Sequence, residues 1–148
     1  IMNDNLSGEI IEKTHIFAVR VYYEDTDFSG IVYHANYLKF AEGGRTNFLR
    51  LLGINHSELI KKKDSKYFVV YKMDTLFLDT STIDDILEVR SIFIGIDGVR
   101  LKINQDIFKD EKKVFSANIE FVLLDKNAKP KRIPDDIRTT IEKYLSER

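Results

Sequence analysis

The 148-residue chain is 43% hydrophobic and 32% charged, the composition of an ordinary globular protein with length enough to bury about two-thirds of its unfolded surface. Lys and Arg total 23 against 24 Asp and Glu, a formal net charge of -1, which excludes the global basic field behind nonspecific nucleic-acid or bilayer binding and makes any anion site local. With no Cys, disulfides, thiolate metal sites and a cysteine nucleophile are excluded, a cytoplasmic location fits, and no apolar run approaches the ~18 residues of a membrane helix.

Residues 1–13 are polar and acidic, unlike a secretory signal, and are expected to be a flexible N-terminal segment. Thr14 to Tyr23 alternates apolar and polar residues as a half-buried strand does. Glu24 to Gly30, EDTDFSG, is turn composition. From His34 to Leu52 the apolar residues Tyr37, Phe40, Ala41, Phe48, Leu51 and Leu52 recur at helical steps, and Gly53 supplies a stop. Gly43 and Gly44 each cost that helix about 1 kcal/mol relative to Ala, so the helix presses closely on something, and Gly44 lies on the apolar stripe. His56 to Lys63 adds a short helix with Asn55 or Ser57 as its cap.

Four β-rich runs follow, Tyr67 to Leu78, Ile86 to Ile96, Arg100 to Phe108 and Val114 to Leu124. The short Asp97-Gly98 and Lys109 to Lys113 connections demand antiparallel neighbours. A basic loop, Lys126 to Arg132, precedes a final amphipathic helix over Pro134 to Arg148. The order β, α, four β, α predicts one α+β domain over residues 1–148. Its single curved antiparallel sheet of about five strands wraps one long central helix, with a C-terminal helix after it. Such a sheet has open edges, which predicts a homodimer or homotetramer.

Polar residues concentrate between the first strand and the central helix: Glu24, Asp25, Asp27, Ser29, Gly30, Tyr33, His34 and Asn36. Asp25, Asp27, Ser29 and Gly30 match the opening of an EF-hand calcium loop, yet position twelve is Asn36 where a bidentate Glu is required, and a strand precedes the loop. A second reading makes the acids turn and cap residues with no chemistry. In a third, free N–H groups at the helix start hold a developing oxyanion while a carboxylate on the preceding loop acts as base or nucleophile.

The segment RVYYEDTDFSGIVYHANYLKFAEGGRTNFLR, Arg20 to Arg50, closely resembles the signature of the YbgC-like acyl-CoA thioesterases. These are hotdog-fold relatives of 4-hydroxybenzoyl-CoA thioesterase. Weaker similarity continues through FVVYKMD, the hairpin strands and KPKRIP. The resemblance implies a hotdog fold and hydrolysis of a small or medium acyl thioester to free acid and thiol. It makes Asp27 the catalytic carboxylate, places the thioester oxygen near the backbone N–H groups around Tyr33 and His34, and gives His34 a part in orienting the thioester. Gly43-Gly44 and Phe28-Ser29 depart from the usual pattern, the second pair bearing on the shape of the acyl pocket. No cofactor is implied, because coenzyme A belongs to the substrate; acyl carrier protein is the alternative thiol carrier.

Lys126, Lys129, Lys131 and Arg132 are candidates for the coenzyme A phosphates or, equally, a solvated hairpin end. Arg100, beside the hairpin that such relatives use near the pantetheine arm, joins Lys131 and Arg132 as a substrate-binding candidate. The three His, at 15, 34 and 56, lack zinc spacing, and no nucleotide-binding glycine motif is present. The runner-up function is a noncatalytic acyl-thioester- or partner-binding protein on the same scaffold.

Overall fold

Apolar alternation and helical periodicity give the elements of the computed structural model, which describes residues 4–146. The strands among them are β1 (Glu9–Ile11), β2 (Thr14–Arg20), β3 (Lys66–Phe77), β4 (Ile86–Ile96), β5 (Arg100–Lys109) and β6 (Lys112–Asp125). The helices are α1 (His34–Leu51), α2 (His56–Lys61) and α3 (Asp135–Glu142). All strand pairings are antiparallel, in the order β1-β2-β4-β5-β6-β3. The expected α+β class, antiparallel sheet, long helix and C-terminal helix are all present.

The sheet has six strands instead of about five. Of the segment expected to be flexible, residues 1–3 lie outside the described residues, Asp4–Ser7 form a 3-10 turn, and Glu9–Ile11 pair with β2. Three residues are too few to show alternation in a sequence. What fixes them is tertiary: Gly8 turns the chain at φ 77°, and His15 Nε2 lies 2.7 Å from the Ser7 carbonyl. At the other end α3 stops at Glu142, short of the expected Arg148. Ser146 donates its N–H to the Phe93 carbonyl at 2.9 Å and Leu145 bridges Phe93, so β4 draws the chain out of the helix.

Helix α1 ends as its Gly53 predicts. Gly53, at φ 82°, donates to Arg50 O and Ile54 donates to Leu49 O, both at 2.9 Å, a Schellman closure that satisfies the last carbonyls. The helix lies on β2, β4 and β5, burying Tyr37, Ala41, Phe48 and Leu49 against Val89, Phe93, Ile103 and Ile107 of the sheet. Gly44 faces that contact: a Cβ there would stand 2.7 Å from Val89 Cγ1. Gly43 has room, since its Cβ would meet Phe17 at 3.4 Å. His15 is fully buried, stacked on Phe48 with ring centroids 5.0 Å apart, and its Nδ1 has no partner among the described residues.

Gly44→Ala is expected to cost about 1–3 kcal/mol by overpacking, whereas Gly43→Ala gains up to about 1 kcal/mol of helix propensity; denaturant unfolding of both variants checks the contrast. Burial pushes the His15 pKa below the ordinary 6.5, so the unfolded chain takes up this proton more readily. The stability that follows is complete above pH 6.5 and is lost as the pH falls below it. His15→Phe, which keeps the ring stack, should flatten the pH dependence of the unfolding midpoint between pH 7.5 and 5 without abolishing it, because His56 is shifted in the same direction by its own burial.

Candidate active site

The residues between β2 and α1 fold into a tight hairpin. Thr26 pairs with Val32, Asp27 N–H donates to Ile31 O at 2.9 Å, and Gly30 closes the turn by donating to Asp27 O at 3.0 Å. Gly30 sits at φ 83°, a left-handed conformation that glycine adopts at no steric cost. Two contacts dock the hairpin on the β3–β4 connection: Val32 N–H donates to Ser81 O at 2.8 Å, and Ile31 bridges Thr82. Asp25 and Asp27 each turn one carboxylate oxygen onto a backbone N–H of the hairpin. Among the described residues no three His, Cys, Asp or Glu side chains are placed to hold a metal ion.

Three aspartates stand near the start of α1, and the carboxylates of Asp25 and Asp27 each accept one backbone N–H. Asp25 Oδ2 accepts Tyr22 N–H at 2.8 Å, and its carbonyl accepts both Tyr33 N–H at 2.9 Å and Asn36 Nδ2 at 2.8 Å. Asp79 is paired with Lys112, which together with the Thr80 N–H holds its carboxyl below the usual range. Asp27 spends one oxygen on Ser29 N–H at 2.7 Å, and its other oxygen has no partner among the described residues. Its side chain is exposed.

Tyr33 N–H is therefore committed to Asp25 and is not free to meet an oxyanion, which corrects the expectation from sequence. The antiparallel pairing of the hairpin consumes it. The free donors lie one step on: among the described residues His34 N–H and Ala35 N–H have no acceptor, while Asn36 N–H bonds Tyr33 O at 2.8 Å. These are the unpaired groups that open an α-helix, at its positive end.

His34 lies edge-on to Phe77 with centroids 5.6 Å apart and against Tyr33 at 4.6 Å. Beside it opens a cavity of about 390 Å³, walled by Ile31, His34, Tyr37, Phe77, Leu78 and Asp79 among others. Asp27 is not among the residues lining it; it stands opposite Ile31, which is. Phe28 is wholly exposed. Tyr37, which sequence reading placed only on the apolar stripe, donates its hydroxyl to Ser81 Oγ at 3.0 Å, and burial raises its pKa so that the phenol stays a donor.

The basic candidates lie elsewhere. Arg100 alternates with inward Leu101 and stacks at 4.5 Å on the Tyr71 ring, on the sheet face away from α1. Lys131 pairs with Asp125 at 3.7 Å, and Arg132 stands 3.9 Å from Asp135. Lys131 N–H bonds Leu123 O, eight residues along β6 from the Phe115 that touches Phe77, about 26 Å away at strand rise. One chain thus gathers Asp27, His34 and Tyr33 at one end of the sheet and Arg100, Lys131 and Arg132 at the other.

Residues 21–141 match the model of the thioesterase-like superfamily. The chain belongs to this superfamily. Among its relatives, an acyl-CoA thioesterase YbgC from Haemophilus influenzae is 32% identical over 130 residues, covering 87% of this chain and 95% of that one. An acyl-CoA thioester hydrolase YbgC from Escherichia coli is 36% identical over 121 residues, 80% of this chain and 89% of its own. A probable thioesterase from Bartonella henselae superposes with a TM-score of 0.80 at 38% identity, over 82% of this chain and 99% of that one. The hotdog thioesterase architecture expected from the Arg20 to Arg50 signature is therefore the architecture of this superfamily member.

Asn36 was not singled out by sequence for a role of its own, yet it ties the hairpin to the helix through the Asp25 carbonyl. Asn36→Ala is expected to lose about 1–2 kcal/mol and to speed amide hydrogen exchange at Tyr33 relative to the core of β5; unchanged exchange at Tyr33 would remove Asn36 from that role.

Proposed function

We propose that the chain hydrolyses acyl-CoA thioesters, with Asp27 as nucleophile or general base and the His34 and Ala35 N–H groups as oxyanion donors. One observation supports this: the hairpin that leads directly into the helix start carries a carboxylate with one oxygen unpaired, and the first two N–H groups of the helix have no acceptor, both among the described residues. A thioester carbonyl resting on those donors develops negative charge where the helix end is positive, and fixed donors of this kind supply a large share of acyl-transfer catalysis. A thioester is reactive enough that a single carboxylate with such donors suffices without a Ser-His-Asp triad. The His34 ring, held against Phe77 and Tyr33, orients the thioester at the cavity mouth. No cofactor takes part; coenzyme A enters with the substrate, and acyl carrier protein is the alternative carrier. A cytoplasmic location belongs to the same proposal.

A homodimer completes it. Among the described residues β3 is the long open edge of the sheet, twelve residues paired on one side only, with Val70, Tyr71, Leu76 and Phe77 exposed along it. Such an edge invites a second copy. Two-fold antiparallel pairing sets the Lys66 end of one β3 beside the Phe77 end of the other. The Arg100, Lys131 and Arg132 end of one chain then approaches the helix start of its mate, which offers these cations to the phosphates of coenzyme A. A single chain keeps the two groups apart.

Asp27→Asn retains the oxygen that accepts Ser29 N–H, so the fold should hold while thiol release from acyl-CoA falls about a thousandfold. Thermal melts and a thiol-release assay over several acyl lengths measure both. Near-normal turnover by this variant would sink the assignment, and stoichiometric acyl-CoA binding by the wild type without thiol release would favour a noncatalytic binding protein.

A further inference from the structure

The guanidinium of Arg138, midway along α3, is surrounded by carbonyls instead of acids. Its Nη1 donates to Asp97 O at 2.6 Å, and its Nη2 is shared between Gly98 O at 3.2 Å and Ile133 O at 3.3 Å. Among the described residues its buried Nε has no hydrogen-bond partner, and no carboxylate pairs with the group. A cation desolvated in this way normally finds an acid. Here three main-chain oxygens take that place, in a planar fork that only arginine offers.

The three carbonyls belong to two segments distant in the chain. Asp97 and Gly98 make the turn between β4 and β5. Asp97 N–H closes it on Arg100 O at 2.9 Å, while Asp97 Oδ1 accepts Val99 N–H at 2.9 Å and Arg100 N–H at 2.7 Å. Ile133 follows the basic loop, and its own N–H donates to Gly98 O at 2.9 Å. Just before it, Lys131 N–H bonds Leu123 O and Pro130 bridges Leu124. Arg100 stands two residues after Gly98, and Arg132 and Lys131 stand one and two before Ile133. A Cβ on Gly98 would lie 3.5 Å from Arg132 Nη1, so the turn and the basic segment touch. All three candidate cations thus hang from backbone that Arg138 clamps. With Nε buried and Nη2 taken up by two carbonyls, Arg138 itself serves the backbone and not a ligand.

We propose that Arg138 is a positioning residue for the phosphate end of the substrate. Its fork sets the spacing between the β4–β5 turn and the Pro130 to Ile133 segment, and so between Arg100 on one and Lys131 and Arg132 on the other. This rests on the reading of the preceding subsection that these cations meet the phosphates of coenzyme A. Without the fork the cations remain but lose their common register, and converging on one ligand then costs more side-chain and loop ordering. The chemical step is untouched, because Arg138 bonds neither the Asp27 hairpin nor the start of α1.

Kinetics with hexanoyl-CoA and with hexanoyl-N-acetylcysteamine, a thioester without phosphates, test it beside titration calorimetry with coenzyme A and with pantetheine. In Arg138→Met the KM for hexanoyl-CoA should rise at least about fivefold with kcat held within about twofold, while kcat/KM for hexanoyl-N-acetylcysteamine stays within about twofold. Coenzyme A should bind this variant at least about fivefold more weakly, and pantetheine as it binds the wild type. Arg138→Lys keeps the charge without the fork and should resemble Arg138→Met; wild-type affinity for coenzyme A in the Lys variant would overturn the proposal. So would an unchanged KM for hexanoyl-CoA, equal losses on both thioesters as a merely structural role produces, or equal binding of coenzyme A and pantetheine by the wild type. Binding and turnover keep the two readings apart. A wild type that binds coenzyme A but releases no thiol, with binding lost in Arg138→Met, sinks the hydrolase and upholds this inference. Should neither variant fold, amide hydrogen exchange in the wild type decides: coenzyme A should slow exchange at Ile133 at least about fivefold relative to the core of β5, and no slowing would overturn the proposal.

Discussion

The seating of α1 on the sheet sets everything else in the molecule. Gln105, fully buried on β5, donates its amide nitrogen both to the Ala41 carbonyl of the helix at 2.8 Å and to Ser91 Oγ of β4 at 2.9 Å. One turn further on, Gly44 brings the helix backbone down onto Val89. An amide buried at this depth costs heavily if left unpaired, so it works as a pin and not as glue: only one height and rotation of the helix satisfies it. That pose decides where the helix start meets the hairpin.

The hairpin before α1 uses the same logic at smaller scale. Asp25 collects Tyr22 N–H, Tyr33 N–H and the Asn36 side chain, and in doing so uses up a donor that would otherwise face a ligand. Asp27, two residues on, gives one oxygen to its own turn and keeps the other. The two carboxylates each give one oxygen to a backbone N–H; what sets Asp25 apart is its carbonyl, which ties the hairpin to the helix start. The difference arises from position on the hairpin ladder and not from residue type.

This explains what the sequence could and could not tell. Strand alternation, the apolar stripe of α1 and the Gly53 stop are local patterns, and they placed the main elements to within a few residues. The Arg20 to Arg50 signature pointed to Asp27 and His34 as a matter of family resemblance. The fate of Tyr33 N–H was hidden, because it depends on a backbone pairing with Asp25 that leaves no mark on side-chain composition. Strand β1 was hidden for a related reason: a buried His15 and a left-handed Gly8 hold it, and neither is a strand signal.

The two ends of the sheet raise an electrostatic issue that a net charge of -1 conceals. At one end the helix start supplies positive potential through backbone N–H groups alone, a field that falls off within about a turn. At the other end the cations are side chains, and three are already engaged with acids, Lys131 with Asp125, Arg132 with Asp135 and Lys66 with Asp64 at 3.3 Å. Pairs with at least one exposed member hold each other weakly, by about 1 kcal/mol or less, so under the proposed function a multiply charged phosphate would displace the acids at small cost. A long anionic thioester needs both kinds of field, one at its carbonyl and one at its phosphates. In an isolated chain they lie about 26 Å apart at strand rise, and the proposed antiparallel pairing along β3 would bring one kind of field from each copy together.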